Sequence, residues 1–428
     1  MKGFGTRRSA GRLGGVALAA VLAASGCGGK GGEDADAAGA SRALVSDYAL
    51  TPFAFGPKCG FVDAKGKLVI TPQFEAARPF IREAKVAPVK VGGKWGLVDR
   101  EGRFSVTPQF QALEPSGDGK SFWVQVANRW GLIDAKGAFL INPRYDSHAG
   151  DFDAKGRAIV RVGTKAGVVN RKGELVIPAT FDSIVSRGLP DERSAVFADG
   201  LALAIQNGKA GFIDEKGAWV INPQFTDARW FDRERLAAVS TGTAQAPRWG
   251  FIDRKGAFVI APQFEMANAF GAAGLAAVKV GDVWGFIDRK GDYRINPQFV
   301  AVLPFADGPG GPSAPVAVRG GDGSTRWGVI DPKGNFRIQP QFDSLRAFDR
   351  NGRAVAGMGD QLGLIDDKGR FVVNPMYAQM SLMPGTSDYL VARTVGGAGT
   401  AAGTIQIGRM RKDGKVVSTV TGVRCPRL

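Results

Sequence analysis

One unit recurs nine times along this chain. Its sixth copy reads Trp249-Gly250-Phe251-Ile252-Asp253-Arg254-Lys255-Gly256, followed by Phe258-Val259-Ile260-Ala261-Pro262-Gln263-Phe264. The anchoring glycines are Gly60, Gly96, Gly131, Gly167, Gly211, Gly250, Gly285, Gly328 and Gly363, at intervals of 36, 35, 36, 44, 39, 35, 43 and 35 residues. A second Gly lies six residues after each anchor and an aromatic fourteen after. Pro lies twelve after in eight copies, and Pro178 comes one residue early. A tenth, decayed copy fits at Gly408, where Arg411 replaces the usual Asp. In Trp-Gly-Phe-Ile-Asp the side chains alternate between two faces, so Trp and Phe share a buried face while Gly leaves room for a neighbouring backbone. Asp-x-Lys-Gly is a tight turn, in which Asp bonds the backbone ahead and Gly takes the positive-φ position. The strand that follows is expected to stop at Pro, which cannot donate to a sheet ladder. A further strand precedes each Trp, as at residues 275–280, and the stretch after Phe264, ending near Phe270, is expected to add a short fourth. No such unit covers its own aromatic face, so the copies must stack.

The repeat resembles the WG (or KWG) repeat family of bacterial proteins. The resemblance covers about residues 44–420. The Trp is present at Trp95, Trp130, Trp249, Trp284 and Trp327; such a stripe could stack on sugar rings, but its replacement in other copies favours repeat-core positions. Cys59, Ala166, Ala210 and Leu362 stand in its place elsewhere. The resemblance implies a tandem β-repeat used for interaction and carries over no catalytic residue. The expected fold is all-β: about ten antiparallel β-meander repeats of about 36 residues. A propeller-like ring is favoured, with an open or spiralling β-array as the alternative.

The N-terminus reads as an address. Lys2, Arg7, Arg8 and Arg12 precede a short apolar run at residues 13–24, too short to span a bilayer. It ends in Ala24-Ser25-Gly26-Cys27, which resembles the lipobox of bacterial lipoproteins. Cys27 is then the lipid acceptor, residues 1–26 the signal peptide, 27–43 a Gly/Ala-rich tether and 44–428 the repeat domain. Gly28 beside the lipidated Cys resembles lipoproteins sent to the outer membrane. Anchorage to the membrane is expected through this lipid.

Export places the remaining cysteines, Cys59 in the first repeat and Cys425 after the last, in an oxidising compartment. A bond between them requires Cα atoms within about 7 Å. In an extended solenoid the ends would be too far apart, so the pair requires a closed array. The alternative is two unpaired thiols, with Cys59 filling the Trp slot.

Composition narrows function. The chain holds a single His, His148, so a His-based metal cluster is excluded. His148 lies in a loop-like stretch without a Ser or Cys partner motif. The repeated Asp residues are each followed two positions on by Lys or Glu, which favours a turn role over a metal site. No phosphate loop, nucleophile elbow or dinucleotide fingerprint occurs in a fitting context. No catalytic residue, metal or cofactor is therefore expected. The net charge of +16 is spread without a block of five basic residues, so nucleic acid is not an expected partner. The expected role is a protein-interaction or scaffold surface at the cell envelope. The alternative is a carbohydrate or cell-wall binding module directed at an anionic polysaccharide or the wall. Longer copies extend one hairpin at residues 240–248 and 319–326, and a different connection at 186–193 and 307–315.

Overall fold

The computed structural model describes residues 50–55, 57–63, 67–149, 151–189, 192–232, 234–243, 245–382, 387–395 and 404–421. Cys27 and Cys425 lie outside them. The described residues form ten antiparallel sheets in chain order, with a small extra hairpin, Arg187–Leu189 with Glu192–Ala195, in one connection. One 3-10 turn, Ala272–Gly274, is the only helical element among them. The fold is the expected tandem all-β array.

The seventh sheet shows the plan. Its lead strand is Met266–Ala267, its second Ala276–Val280, its third Val283–Ile287 and its fourth Tyr293–Phe299, each hydrogen-bonded to the next. The third strand carries the Trp-Gly motif. The Asp-x-Lys-Gly turn joins it to the fourth. In the sixth repeat Asp253 Oδ1 accepts the N–H groups of Lys255 (2.8 Å) and Ala257 (3.0 Å), and Gly256 has φ of 84°. Backbone bonding of this kind occupies the carboxylate and makes it a turn-former.

The fourth strand departs from the expected stop at Pro. It runs through Pro262 to the aromatic, as Phe258–Phe264. Trp249 pairs with Phe264, and Phe251 with Ile260, so the fourth strand carries two more residues than the third between these partners. The Pro sits in that bulge, where no ladder bond is needed. The bulge explains the anchoring Gly. A Cβ on Gly250 would lie 2.5 Å from the Ile260 carbonyl oxygen and 2.8 Å from the Pro262 nitrogen. The tenth sheet is the exception, because Gly408 pairs directly with Thr419 and the two-residue bulge is missing.

Consecutive sheets are joined by the shortest possible connection. Leu68–Phe74 ends the first sheet, and Ala76–Ala77 begins the second after one residue. The same single-residue spacing recurs at every later junction. Each sheet is set over the second half of the one before, its lead strand against the third strand and its second strand against the fourth. Both faces of an internal sheet are therefore covered. In the second sheet Trp95 and Leu97 pack toward the third sheet with Phe122 and Val124. Val98 packs back toward the first with Cys59 and Phe61.

The first sheet differs in strand number. Among the described residues it has three strands, Thr51–Phe55, Lys58–Val62 and Leu68–Phe74.

Candidate functional site

Two kinds of place stand out: contacts that recur between sheets, and one sheet that breaks the pattern.

A Phe recurs twenty residues past several anchors, in the connection after the lead strand. Phe80, Phe231, Phe270 and Phe305 pack on Phe61, Phe212, Phe251 and Phe286 of the preceding sheet, at 5.1, 4.7, 4.8 and 4.9 Å between ring centroids. Each such ring buries apolar area worth about 1.5–3 kcal/mol, and the ring pair adds about 0.5–1.5 kcal/mol. A second ladder lies toward the fourth strands. Phe74, Phe110, Phe225 and Phe264 each meet, edge to face, the first residue of the next fourth strand: Phe104, Phe139, Phe258 and Tyr293. A third link is ionic. Arg171, Arg254 and Arg289, each just after the turn Asp or Asn of its repeat, bond Asp118, Asp199 and Asp232 in the connection of the sheet before. The fifth repeat reverses the charges: Glu215 accepts from Lys155 at 2.9 Å and lies 3.2 Å from Arg157.

The expected repeat-core Trp residues lie against these layers. Trp95 and Trp249 are buried, at 5% and 4% exposure, and Trp130, Trp284 and Trp327 are half-buried. Arg78 covers the Trp95 ring at 4.9 Å and Arg229 covers Trp249 at 5.1 Å. Cys59 is buried in the Trp slot of the first repeat.

The third sheet breaks the pattern on both faces. Ser116 stands where other connections carry Phe. It is fully buried, and its hydroxyl bonds no protein atom among the described residues. On the other face Trp123, also fully buried, stacks on Phe152 at 5.5 Å and on His148 at 4.5 Å. Trp130 meets His148 edge-on at 4.6 Å, and Glu114 Oε2 lies 3.6 Å from His148 Nε2. His148 was expected in a loop. It lies instead in the lead strand Ser147–Ala149, at a position where other sheets carry Ala77, Leu113, Ala228, Ala267 or Val302. Burial raises the pKa of Asp118, yet the N–H groups of Lys120 and Ser121 and the Arg171 guanidinium outweigh it and hold the carboxyl below its usual range. This arrangement is a packed aromatic and ionic joint.

What the array does expose is a row of apolar residues along its fourth strands. Leu140, Val176, Val220 and Val259 occupy the second place of that strand in the third to sixth repeats, at 49, 44, 46 and 49% exposure. Arg294 and Arg337 take that place in the seventh and eighth, and both are exposed. Neither this row nor the Phe ladder was foreseen. The recurring Phe was present in the repeat register and would have been found by extending the comparison past the aromatic at position fourteen.

The family model of the WG containing repeat matches residues 60–95, 95–130, 130–165, 167–186, 211–242, 249–284, 284–308 and 327–360, together more than half of the chain. No curated protein matches the sequence. Among solved structures, the chain is similar to a crystal structure of "the eukaryotic initiation factor". Identity is 12% and the TM-score 0.49, over 88% of this chain and 96% of that one. It is also similar to Porphyromonas gingivalis dipeptidyl peptidase 4, at 10% identity and TM-score 0.43, over 81% of this chain and 59% of that one.

Proposed function

The chain belongs to the WG-repeat family, and from that premise we propose that it is a non-catalytic lipoprotein of the cell envelope whose repeat domain serves as a docking surface for other proteins. Lipid on Cys27 holds it to the membrane, with the outer membrane favoured by Gly28, and the tether carries the domain clear of the bilayer. The observation that carries this reading is the exposed aliphatic row Leu140, Val176, Val220 and Val259. One such residue per repeat, on consecutive edge strands, offers a linear apolar surface that aliphatic or aromatic side chains of a partner can cover. The Trp residues are poor candidates for stacking on sugars, because they are buried or half-buried and Arg covers two of the rings.

A carbohydrate or cell-wall reading is supported by a different set of residues. Phe104, Phe139, Phe258 and Tyr293 are exposed by 41–46% while packed edge-on against the preceding repeat. Half-exposed rings in register are a surface on which sugar rings of a wall polymer can stack.

The test compares both rows in the full-length lipoprotein in intact cells. A photo-crosslinking residue is placed at Leu140 or Val259, and as a control at Lys216. Adducts of discrete mass from the first two positions alone, abolished when Val176 and Val220 are changed to Lys, are the expected result. Absence of adducts, together with salt-resistant sedimentation with purified sacculi that is lost in Phe139→Ala/Phe258→Ala, would replace the protein-docking reading by the wall-binding one. Sedimentation that vanishes at moderate salt would show charge attraction alone.

A further inference from the structure

The fourth strands of the first nine repeats share one outline. In Phe258–Phe264 the second, fourth and sixth places are exposed, the third and seventh are buried, and the fifth, Pro262, is half-buried. This is the alternation of a strand with one face covered. The half-exposed ring at the first place belongs with the covered face, because Phe258 meets the buried Phe225 edge to face. The open face is therefore made of the second, fourth and sixth side chains of one repeat after another. The second place carries the aliphatic row. The fourth and sixth are dominated by primary amides, among them Asn142, Asn222 and Asn296 at the fourth and Gln224, Gln263 and Gln298 at the sixth. Asn stands at the fourth place in four copies, and Gln at the sixth in six. These amides are exposed and make no side-chain hydrogen bond among the described residues. The open places of all nine strands hold no Asp or Glu, in a chain that has 40 of them. They do hold Arg. Arg144 donates to the Tyr145 hydroxyl and the Gly173 carbonyl, and Arg337 to the Gly310 and Gly311 carbonyls, so both bond neutral groups and keep their charge uncompensated. Arg294 is instead paired with Asp288 Oδ2 at 3.0 Å.

We propose that this open face grips the backbone of an extended, acidic stretch of polypeptide supplied by a partner. The inference rests on the protein-docking reading and narrows it from any protein surface to an unfolded segment.

A side-chain amide has the same donor and acceptor as a peptide group, so it can pair with a backbone N–H and C=O whatever the sequence. Amides repeated at one register meet an extended chain at regular intervals. The aliphatic row beside them covers the apolar side chains of that chain, and Arg144 and Arg337 meet its carboxylates. A face without acids repels no acidic segment. A polypeptide suits this face better than a glycan, because the amides share it with aliphatic side chains while the rings that suit sugars stand with the covered face. Strand addition at the backbone is a poorer route, since Pro at the fifth place interrupts eight of the nine fourth strands as templates for another strand. The recognition therefore runs through side chains. Packed sheets lie about 10 Å apart and an extended chain advances about 3.3–3.6 Å per residue. About three partner residues thus span each repeat, and about twelve cover the aliphatic row from Leu140 to Val259.

The test is fluorescence anisotropy with the full-length protein purified in detergent. One labelled probe is a peptide of about twelve residues in which Glu and Val alternate. A second has the same sequence with the Val nitrogens methylated, which keeps every side chain and removes half of the backbone donors. The first probe is expected to bind, and the second to bind at least about tenfold more weakly. Gln224→Ala/Gln263→Ala should weaken the first probe by at least about tenfold and leave the second unchanged. Both amides are exposed and unbonded, so an unchanged melting temperature is expected and verifies that the variant is folded. Equal affinity for the two probes would overturn backbone recognition. Failure of both to bind, with crosslinked adducts from Leu140 and Val259 still formed in cells, would overturn this inference and leave docking of a folded partner. Binding of a labelled N-acetylglucosamine hexamer that is lost in the same variant, without adducts, would overturn both in favour of a glycan.

Discussion

The third and seventh sheets solve the same packing problem with the large ring on different strands. In the seventh, Phe286 of the third strand is large and its cross-strand neighbour is Ala277. The sixth has the same arrangement with Phe251 and Ala238. In the third sheet the third strand carries Leu132 and its neighbour is Trp123. The largest ring is moved one strand toward the lead side, and the pair is bulkier, since Trp and Leu together exceed Phe and Ala. The lead strand of the next sheet lies against that region, and so His148 comes to stack on Trp123. The comparison teaches that the large side chain of a pair can sit on either strand.

The largest expected effect tests that exchange. Trp123→Ala should cost about 3–5 kcal/mol. Adding Leu132→Phe should restore part of this by recreating the seventh-sheet pair. Urea unfolding of the single and double variants checks it, and additive losses would refute the idea that either strand can carry the ring. Next, Gly250→Ala should cost about 1–3 kcal/mol, because the new Cβ meets backbone rather than a movable side chain. The equivalent change at Gly408, where the tenth sheet has no bulge, should cost clearly less, and a thermal melt of each variant compares them. On the other face of the third sheet, Ser116→Ala should stabilise by about 1 kcal/mol, since it removes a buried hydroxyl without a protein partner among the described residues. A lower melting temperature would show that this hydroxyl is satisfied by water.

The smallest expected effect concerns acid. The folded-state pKa of Asp118 is depressed, so its contribution is complete above the ordinary carboxyl pKa of about 3.9 and is lost as pH falls through the lower folded value. Asp118→Asn should therefore lower stability near neutral pH and flatten its decline in acid, as seen in melting temperature against pH. An unchanged acid limb would mean that the Asp118–Arg171 pair contributes nothing measurable.

Much of this was legible in the sequence because the repeat states its own register. Anchor, turn and aromatic positions fixed the third and fourth strands, and the long copies correctly marked the extended hairpins. The tenth copy was recognised at Gly408 despite Arg411. The course of the chain through Pro262 is not legible in the sequence, because a missing N–H ordinarily ends a strand. A bulge on an edge strand removes that conflict. The Phe and Arg contacts between sheets were also missed. They depend on the half-sheet offset between neighbours, a property of stacking that no single copy contains. For His148, the surrounding Asp, Ser and Gly suggested a loop. Its burial is set by Trp123, twenty-five residues earlier.

The one-residue connection between sheets has a mechanical consequence. Beads on a string yield at their linkers, one bead at a time. Here each fourth strand passes almost without interruption into the next sheet, so no slack lies between units. A pull on the chain loads the hydrogen-bonded edge of one sheet and the face of its neighbour together. A molecule of this construction should resist stretching as a continuous ribbon and, once a sheet tears, expose its neighbour's apolar face at the same moment.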